Sequence, residues 1–464
     1  MPGANFNHHS GRGGGRGGGR SSGRSGGRGG GRGGPSNSNG STSDIPEARF
    51  RPCRDFTTTG NCRHGNNCTF AHIVTRHADI VATSKKPQQQ QRSQHHNNRN
   101  PRFNNSNVTD EMVGCSCIGI WEQSQSAAQT ATAAIATTPT NASNNDNKVI
   151  KIFSGSEDGF WRLWNSMDNF RKELEYDMNG KIALMEVLQD QFLVVGFLGS
   201  HVSLPKRTVG MVQVWNLQQP SAPPMECLYH KNYTPYAHTM QVTAFTSNMT
   251  DGIIYTGSRD ATIHSWKLDP ESNCFTHVHS YLGHVSEVTD LLLSSQNHLW
   301  SCSTDESIRT WNTQTSECQY VITESSNHGH TKAVTALEKL QQNNEEYIIS
   351  ASLDGDIKAW NATNGTCMAT INHGVGLTCM TILHLTPEKP ILLLGCETGK
   401  IMIRSVLQTP STPAFTLLAT LYSRYTCGHD SCVKTIRSGP SQTFYSGGDD
   451  GKLLVWQITN DLGL

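Results

Sequence analysis

Residues 301–311 read SCSTDESIRTW, a run of small residues followed by an aspartate and, six positions later, a tryptophan. The same unit recurs four more times along the chain. The five aspartate and tryptophan pairs are Asp158 and Trp164, Asp260 and Trp266, Asp305 and Trp311, Asp354 and Trp360, and Asp450 and Trp456. A unit that recurs at a regular spacing indicates a repeat protein, in which each repeat buries its apolar face against the next.

Two weaker copies fill the gaps between the strong ones. VGMVQVW ends at Trp215 without the aspartate, and LGCETGKIMIR has Thr398 and Arg404 at the aspartate and tryptophan positions. The seven end points then lie 44 to 52 residues apart. A histidine stands upstream of four strong copies, after glycine in three cases and after alanine in one: His284, His330, His429 and His238.

This pattern resembles the WD repeat, seven times over, across residues 108–464. The resemblance implies an all-β fold, a seven-bladed β-propeller. In that family the histidine, the aspartate, a strand Ser or Thr and the tryptophan form a buried polar network within each blade. These residues are therefore predicted to be structural, although a His–Asp pair could be mistaken for an acid–base pair. We predict no catalytic residue and no enzyme, since no nucleophile–base pair or open metal constellation is evident.

A second motif precedes the repeats, RFRPCRDFTTTGNCRHGNNCTFAH at residues 49–72. Cys53, Cys62, Cys68 and His72 are separated by gaps of eight, five and three residues. Three thiolates and one imidazole are typical of a closed tetrahedral zinc site. The segment is too short to bury a core, so one bound zinc ion would supply its folding free energy, about 10 kcal/mol or more.

The segment 46–73 resembles a CCCH zinc finger, a family whose members mostly bind single-stranded RNA and sometimes DNA. The resemblance implies that Phe56 and Phe70 stack on bases. The alternative is that both rings only pack over the zinc ligands. Basic and aromatic neighbours extend the predicted nucleic-acid interface: Arg49, Phe50, Arg51, Arg54 and Arg63.

The first 45 residues carry a second nucleic-acid signal. Arginine recurs every four residues between glycines and serines, at Arg12, Arg16, Arg20, Arg24, Arg28 and Arg32. No apolar residue interrupts the tract, so it is predicted to be disordered. It resembles the RGG tracts of RNA-binding proteins, in which each guanidinium contacts a phosphate or a base face. The alternative is a soluble spacer.

Charge divides the chain into a basic arm and an acidic body. Residues 1–113 hold 16 Lys and Arg against 6 Asp and Glu, a balance of +10, and residues 114–464 hold 22 against 32, a balance of −10. Such asymmetry is typical of a nucleic-acid-binding arm on a protein-binding body. Residues 74–107 are predicted to be a flexible, Gln/Asn-rich linker, and 122–148 a disordered loop of the first blade.

Two features of the propeller remain open from sequence. A loop at 198–210 carries Lys206 and Arg207, which either reach a ligand or form a solvated loop. The closing strand of the ring is expected either from residues 103–113 or from the C-terminal ITNDLGL.

One CCCH finger followed by a WD propeller resembles the plant zinc-finger and WD-repeat protein family. The predicted function is a zinc-dependent nucleic-acid-binding adaptor, with RNA favoured over DNA and protein partners on the propeller. The alternatives are a pure scaffold or a ubiquitin-ligase substrate receptor. The receptor is disfavoured because asparagine follows Trp164, Trp215, Trp311 and Trp360, without the ligase-docking signature. Without an apolar span or secretory signal, we expect no membrane partner and a nuclear or cytoplasmic location, with the nucleus favoured. We also expect no small-molecule substrate.

Overall fold

The computed structural model describes residues 54–64, 74–82, 113–123, 149–201, 203–229, 236–342, 345–386, 389–408, 413–423 and 428–459. The chain divides into two compact units, Met1–Ile45 and Pro46–Leu464. All described residues belong to the second unit, so the predicted tail lies outside them. No helix in the described ranges is both long and apolar enough to cross a membrane.

Four-stranded antiparallel blades make up most of the second unit, and a parallel pairing between the outer strands of the second and third blades joins those two into one eight-stranded sheet. The first blade comprises β2 (Cys115–Gln123), β3 (Val149–Ser156), β4 (Phe160–Asn165) and β5 (Arg171–Asp177). The second comprises β6 (Gly180–Leu188), β7 (Phe192–Ser200), β8 (Thr208–Asn216) and β9 (Met225–Leu228). The third comprises β10 (Val242–Asn248), β11 (Ile253–Ser258), β12 (Ile263–Asp269) and β13 (Cys274–Tyr281).

The next three blades follow in chain order. The fourth comprises β14 (Val288–Leu293), β15 (His298–Ser303), β16 (Ile308–Asn312) and β17 (Cys318–Ile322). The fifth comprises β18 (Val334–Gln342), β19 (Glu345–Ser352), β20 (Asp356–Asn361) and β21 (Cys367–Asn372). The sixth comprises β22 (Leu377–Thr386), β23 (Lys389–Cys396), β24 (Ile401–Gln408) and β25 (Pro413–Leu421).

The seventh blade joins both ends of the described chain. It contains β26 (Val433–Ser438), β27 (Thr443–Gly448), β28 (Lys452–Ile458) and, as its outer strand, β1 (Val74–Val81). In the described ranges the helices are few and short: α1 (Arg54–Thr59), α2 (Glu324–Asn327) and a 3-10 turn at Ser166–Asp168. Each first strand contacts the first strand of the next blade, and β26 contacts β2, so the ring is closed.

The same backbone irregularity marks the first strand of all seven blades. Its pairing with the second strand shifts register near its start, as between Val288 and Asp290 in β14 and between Val334 and Ala336 in β18. The shift is also present in the second and sixth blades, whose sequences lack the full repeat unit. A bulge at this place increases the local twist of each blade. The all-β, seven-bladed prediction is therefore confirmed, including its two weak copies.

Ring closure differs from the sequence expectation. The outer strand of the seventh blade is β1, which pairs antiparallel with β28 from Val74 opposite Ile458 to Val81 opposite Lys452. The prediction that 74–107 is a linker, and that the propeller begins at 108, is therefore wrong for residues 74–81. Closure by 103–113 or by the C-terminal segment is wrong for the same reason. This strand was missed because it carries no Asp–Trp unit and directly follows the cysteine motif.

Two other segment predictions fall partly outside the described residues. Residues 83–112 and 124–148 are not described. The predicted loop 122–148 begins too early, because Glu122 and Gln123 still belong to β2. In the loop between β7 and β8, Lys206 and Arg207 are exposed.

Candidate zinc centre and the polar networks of the blades

The fourth blade shows how the repeat residues meet. His284 Nδ1 lies 2.8 Å from Asp305 Oδ2, and His284 Nε2 lies 2.8 Å from Ser301 Oγ. Trp311 Nε1 donates to the same Ser301 Oγ at 2.8 Å. Asp305 also accepts the Val285 N–H at 3.0 Å. The network ties the loop, the turn between β15 and β16, and the third strand together in a buried environment, where satisfied hydrogen bonds are strong.

Three other blades contain the same network. The histidine–aspartate distances are 3.0 Å for His330 and Asp354, 2.9 Å for His429 and Asp450, and 3.3 Å for His238 and Asp260. The bridging hydroxyl belongs to a serine in two of them and to Thr256 in the third. Its tryptophan donates to it at 2.8 to 2.9 Å in all three, through Trp360, Trp456 and Trp266. These polar side chains are engaged within the blades rather than presented to a ligand.

The first blade satisfies its aspartate differently. Trp164 Nε1 donates to Ser154 Oγ at 2.8 Å, as in the other blades. The cation beside Asp158 is Arg162 of β4, at 2.9 Å, and Arg162 also bonds Glu175 Oε2 at 2.8 Å. Sequence analysis missed Arg162, although a lone arginine between the apolar residues of a strand was a signal of a buried ion pair.

The second and sixth blades lack the network. Trp215 Nε1 is buried without a hydrogen-bond partner among the described residues, and the indole packs edge-on against Trp161 and Tyr176. In the sixth blade Arg404 occupies the tryptophan position and donates to Phe415 O at 2.7 Å and to His373 Nδ1 at 2.6 Å. Burial and the nearby guanidinium lower the pKa of His373 to about 4, so the ring stays neutral and accepts this bond.

The seven first strands surround a central channel that holds half-buried acids. Glu186, Glu338 and Arg437 line a cavity of about 500 Å³ there, and Arg437 pairs with Glu186 at 3.2 Å. Asp290 lies nearby and accepts the Leu337 N–H at 2.8 Å. Burial raises the pKa of Asp290 to about 6 and that of Glu338 to about 7.

These carboxyl groups predict a stability maximum near pH 5. Burial opposes ionisation of the network aspartates, but hydrogen bonds from the histidines hold the pKa of Asp305 and Asp354 below the ordinary value. Their contribution is present above pH ~4 and is lost as the pH falls below it. The channel acids have raised pKa values, so their contribution is present below pH ~4 and is lost as the pH rises through 6 to 7. The free energy of unfolding in urea, measured between pH 3 and 8, should show both the loss at acid pH and the loss at higher pH.

Two variants test which carboxyl groups cause each of these two losses of stability. Asp290→Asn should flatten the decline above pH 5, because the group that titrates there is removed. Asp305→Asn should reduce the loss of stability at acid pH, because one carboxyl group with a lowered pKa is removed. A free energy of unfolding that stays constant from pH 3 to 5 would contradict the assignment of the network aspartates.

The described part of the finger begins with the short helix α1. Thr58 and Thr59 hydroxyls donate to the carbonyls of Arg54 and Asp55, at 2.8 and 2.6 Å. Gly60 ends the helix with a φ of 73°, a left-handed conformation that glycine adopts without strain. This turn brings the chain to the half-buried Cys62.

Cys62 accepts a hydrogen bond from the backbone of the same turn. The His64 backbone N–H donates to Cys62 Sγ at 3.4 Å. A hydrogen bond to sulfur favours the deprotonated form that a metal requires. With two further cysteines and one histidine in the motif, the donor set fits zinc, which Cys53, Cys62, Cys68 and His72 would hold. Cys53, Cys68 and His72 lie outside the described residues.

Three residues of the predicted nucleic-acid interface are described. Arg54 is exposed at the start of α1, and Phe56 is partly buried on the same helix. Arg63 pairs with Asp55 at 2.9 Å while its side chain remains 75% exposed, and this bond lowers the pKa of Asp55. The remaining predicted residues lie outside the described ranges: Arg49, Phe50, Arg51, Phe70, Arg12, Arg16, Arg20, Arg24, Arg28 and Arg32.

Family models match the chain at three places. A zinc finger of the C-x8-C-x5-C-x3-H type matches residues 49–74. The IP5P C-F beta-propeller model matches residues 229–370, and the WD domain, G-beta repeat model matches residues 417–457. The matches agree with the finger motif and with the blades described above.

Curated proteins with similar sequences cover only parts of this chain. Zinc finger CCCH domain-containing protein 17 of Oryza sativa is 26% identical over 67% of this chain and 61% of its own length. Striatin-4 of Homo sapiens is 27% identical over 40% of this chain and 24% of its own length. The chain thus spans about three fifths of the rice protein and a quarter of the human one. Together, these findings show a chain that combines a CCCH-type zinc finger with a WD-repeat β-propeller.

Proposed function

We propose that this protein is a zinc-dependent nucleic-acid-binding adaptor, with RNA preferred over DNA and protein partners recruited by the propeller. The observation that carries the proposal is the match of residues 49–74 to the CCCH-type finger model. One structural zinc ion, with four protein ligands and no open position, would order the finger. No catalytic step is assigned to either domain.

The described side of the finger supports binding of a single strand. Arg54 and Arg63 are exposed, and Phe56, which lies between them in the sequence, is only partly buried. Aromatic rings stack on any base at about 1–3 kcal/mol each, and guanidinium groups neutralise phosphates. Phe70 is proposed to supply a second ring. The six arginines of the N-terminal tract would add sequence-independent affinity.

The propeller is proposed to bind proteins through its exposed loops. Its repeated polar residues are engaged inside the blades, and its net negative charge repels phosphates. Exposed apolar side chains stand beside the His284 loop, where Leu282 is 67% and Val285 is 84% exposed. Together with the loop that carries Lys206 and Arg207, they are the surfaces we assign to partners.

Replacing Phe56 and Phe70 together with alanine tests the proposal. In the full chain this change should weaken binding of a single-stranded RNA oligonucleotide by about 10-fold to 1,000-fold, since stacking is lost at one or two bases. The slope of affinity against salt should stay nearly unchanged, because no phosphate contact is removed. Fluorescence anisotropy at several salt concentrations measures both quantities.

The control is Tyr320→Ala, which removes an exposed aromatic ring from β17 of the fourth blade. It should leave RNA affinity unchanged. If the double variant also loses zinc, the two phenylalanines pack over the ligands and do not stack. Wild-type protein that binds no RNA at low salt would overturn the proposal in favour of a scaffold, and equal affinity for DNA would overturn the preference for RNA.

A further inference from the structure

The zinc finger and the closing strand of the ring share one short stretch of chain. His72, the last predicted ligand, stands two residues before Val74, where β1 begins. Two residues span at most about 7 Å. The chain therefore keeps the last predicted ligand within about 7 Å of the start of the strand that closes the propeller.

The closing strand completes the core on both sides of the seventh blade. Val74 is fully buried in a cluster that includes Ile391 of the sixth blade and Trp456 of the seventh. Ile80 is buried in a second cluster, with Leu453 of the seventh blade and Ile152 of the first. The loss of β1 would expose residues of both clusters and remove the outer strand of the blade in which the two ends of the described propeller meet.

A buried arginine donates a hydrogen bond to the chain at the C-terminal end of β1. Ala82 donates its N–H to Gly451 O at 2.9 Å, and the Ala82 carbonyl accepts from Arg162 Nη1 at 2.9 Å. Arg162 belongs to the first blade and is itself held by Asp158 and Glu175. Its C-terminal end is thus hydrogen-bonded to the first blade through Ala82, and its N-terminal end continues directly from the finger.

The described helix of the finger packs against the closing strand. Helix α1 packs against β1, and Thr57 of that helix is fully buried. A segment of this length cannot bury a core of its own, so its order depends on the metal. Without zinc, β1 would lose its cover at α1 and its fixed N-terminal attachment.

We propose that zinc binding by the finger and closure of the propeller ring are thermodynamically coupled. Zinc stabilises the pairing of β1 with β28, and by reciprocity the closed ring raises the zinc affinity of the finger by the same factor. The inference rests on zinc binding in the proposed function, and it is independent of RNA binding.

Hydrogen exchange of the full chain tests the coupling directly. Removal of zinc by a chelator should speed exchange of the β1 and β28 amides by about tenfold or more, because local opening becomes easier. Amides of β15 and β19, in blades away from the closure, should be unchanged. Cys62→Ser should reproduce the effect without chelator. The control Cys318→Ser, an exposed thiol on β17, should behave as wild type.

The reciprocal experiment starts from the strand. Ile80→Ala weakens closure eight residues from His72, and it should lower zinc affinity several-fold in competition with a chromophoric chelator. The matched control is Ile322→Ala, an equally buried isoleucine on the outer strand of the fourth blade, which should leave zinc affinity unchanged. Equal effects of both variants, or none from either, would overturn the coupling.

Zinc content measured in the same samples separates the two hypotheses. A purified chain that never binds zinc would overturn both the zinc-dependent function and the coupling. A chain that binds one zinc ion, but whose β1 and β28 exchange is the same with and without it, would overturn the coupling alone.

Discussion

Trp311→Ala is expected to lower the free energy of unfolding by about 3–5 kcal/mol, the largest effect of any single substitution proposed for the propeller. Trp311 is only 1% exposed and packs edge-on against Tyr281 at 5.9 Å. Its removal leaves a cavity that the rigid blade cannot fill, and Ser301 loses the indole donor. Equilibrium unfolding in urea measures the change.

Two comparisons show how much of this effect belongs to the network. Trp311→Phe keeps an aromatic ring but removes the indole N–H, so part of the loss should remain. Trp215→Ala removes a tryptophan whose Nε1 has no hydrogen-bond partner among the described residues, so its loss should be smaller. If Trp215→Ala proves as destabilising as Trp311→Ala, packing alone accounts for the effect.

Sequence alone predicted the number of blades because the repeat residues are fixed by local chemistry. The aspartate of each strong copy accepts N–H groups within its own turn, as Asp305 does from Ser307, and the tryptophan fills the space beneath the histidine. These requirements recur in every complete blade, so they produce a visible period. The weak copies could be placed because that period constrained them.

The closing strand could not be predicted in the same way. Strand β1 supplies only an outer strand. Outer strands need no repeat residue because the polar network of a blade joins the loop before the first strand to the second and third strands and the turn between them. Its alternation is interrupted by a register shift between Arg76 and Ala78, which obscured the strand pattern. Its partner β28 lies about 370 to 385 residues away, so local sequence gives no sign of the pairing.

Substituted networks were equally difficult to predict. Arg162 replaces a histidine from a different position in the blade, and Arg404 finds its acceptors in His373 and a backbone carbonyl. Such solutions depend on which polar atoms the fold leaves nearby, and not on a fixed spacing. The cysteine motif was predictable because four metal ligands must converge within one short segment.

Replacing all six tract arginines with glutamine is expected to weaken RNA binding at low salt by at least about 100-fold and to flatten its salt dependence. The variant carries Arg12→Gln, Arg16→Gln, Arg20→Gln, Arg24→Gln, Arg28→Gln and Arg32→Gln. Each arginine that neutralises a phosphate of a single strand contributes about 0.7 to the slope of log affinity against log salt, so the slope should change by up to about 4. Anisotropy titrations of the full chain over a range of salt concentrations measure both effects.

The matched control replaces the same six arginines with lysine. Lysine keeps the charge, so the salt slope should stay close to that of wild type, while any contribution from guanidinium stacking on bases is lost. The phenylalanine variant should show the opposite behaviour, a lower affinity at an unchanged slope. A glutamine variant that binds RNA with the affinity and slope of wild type would mean that the tract is a soluble spacer, and that the finger alone holds the strand.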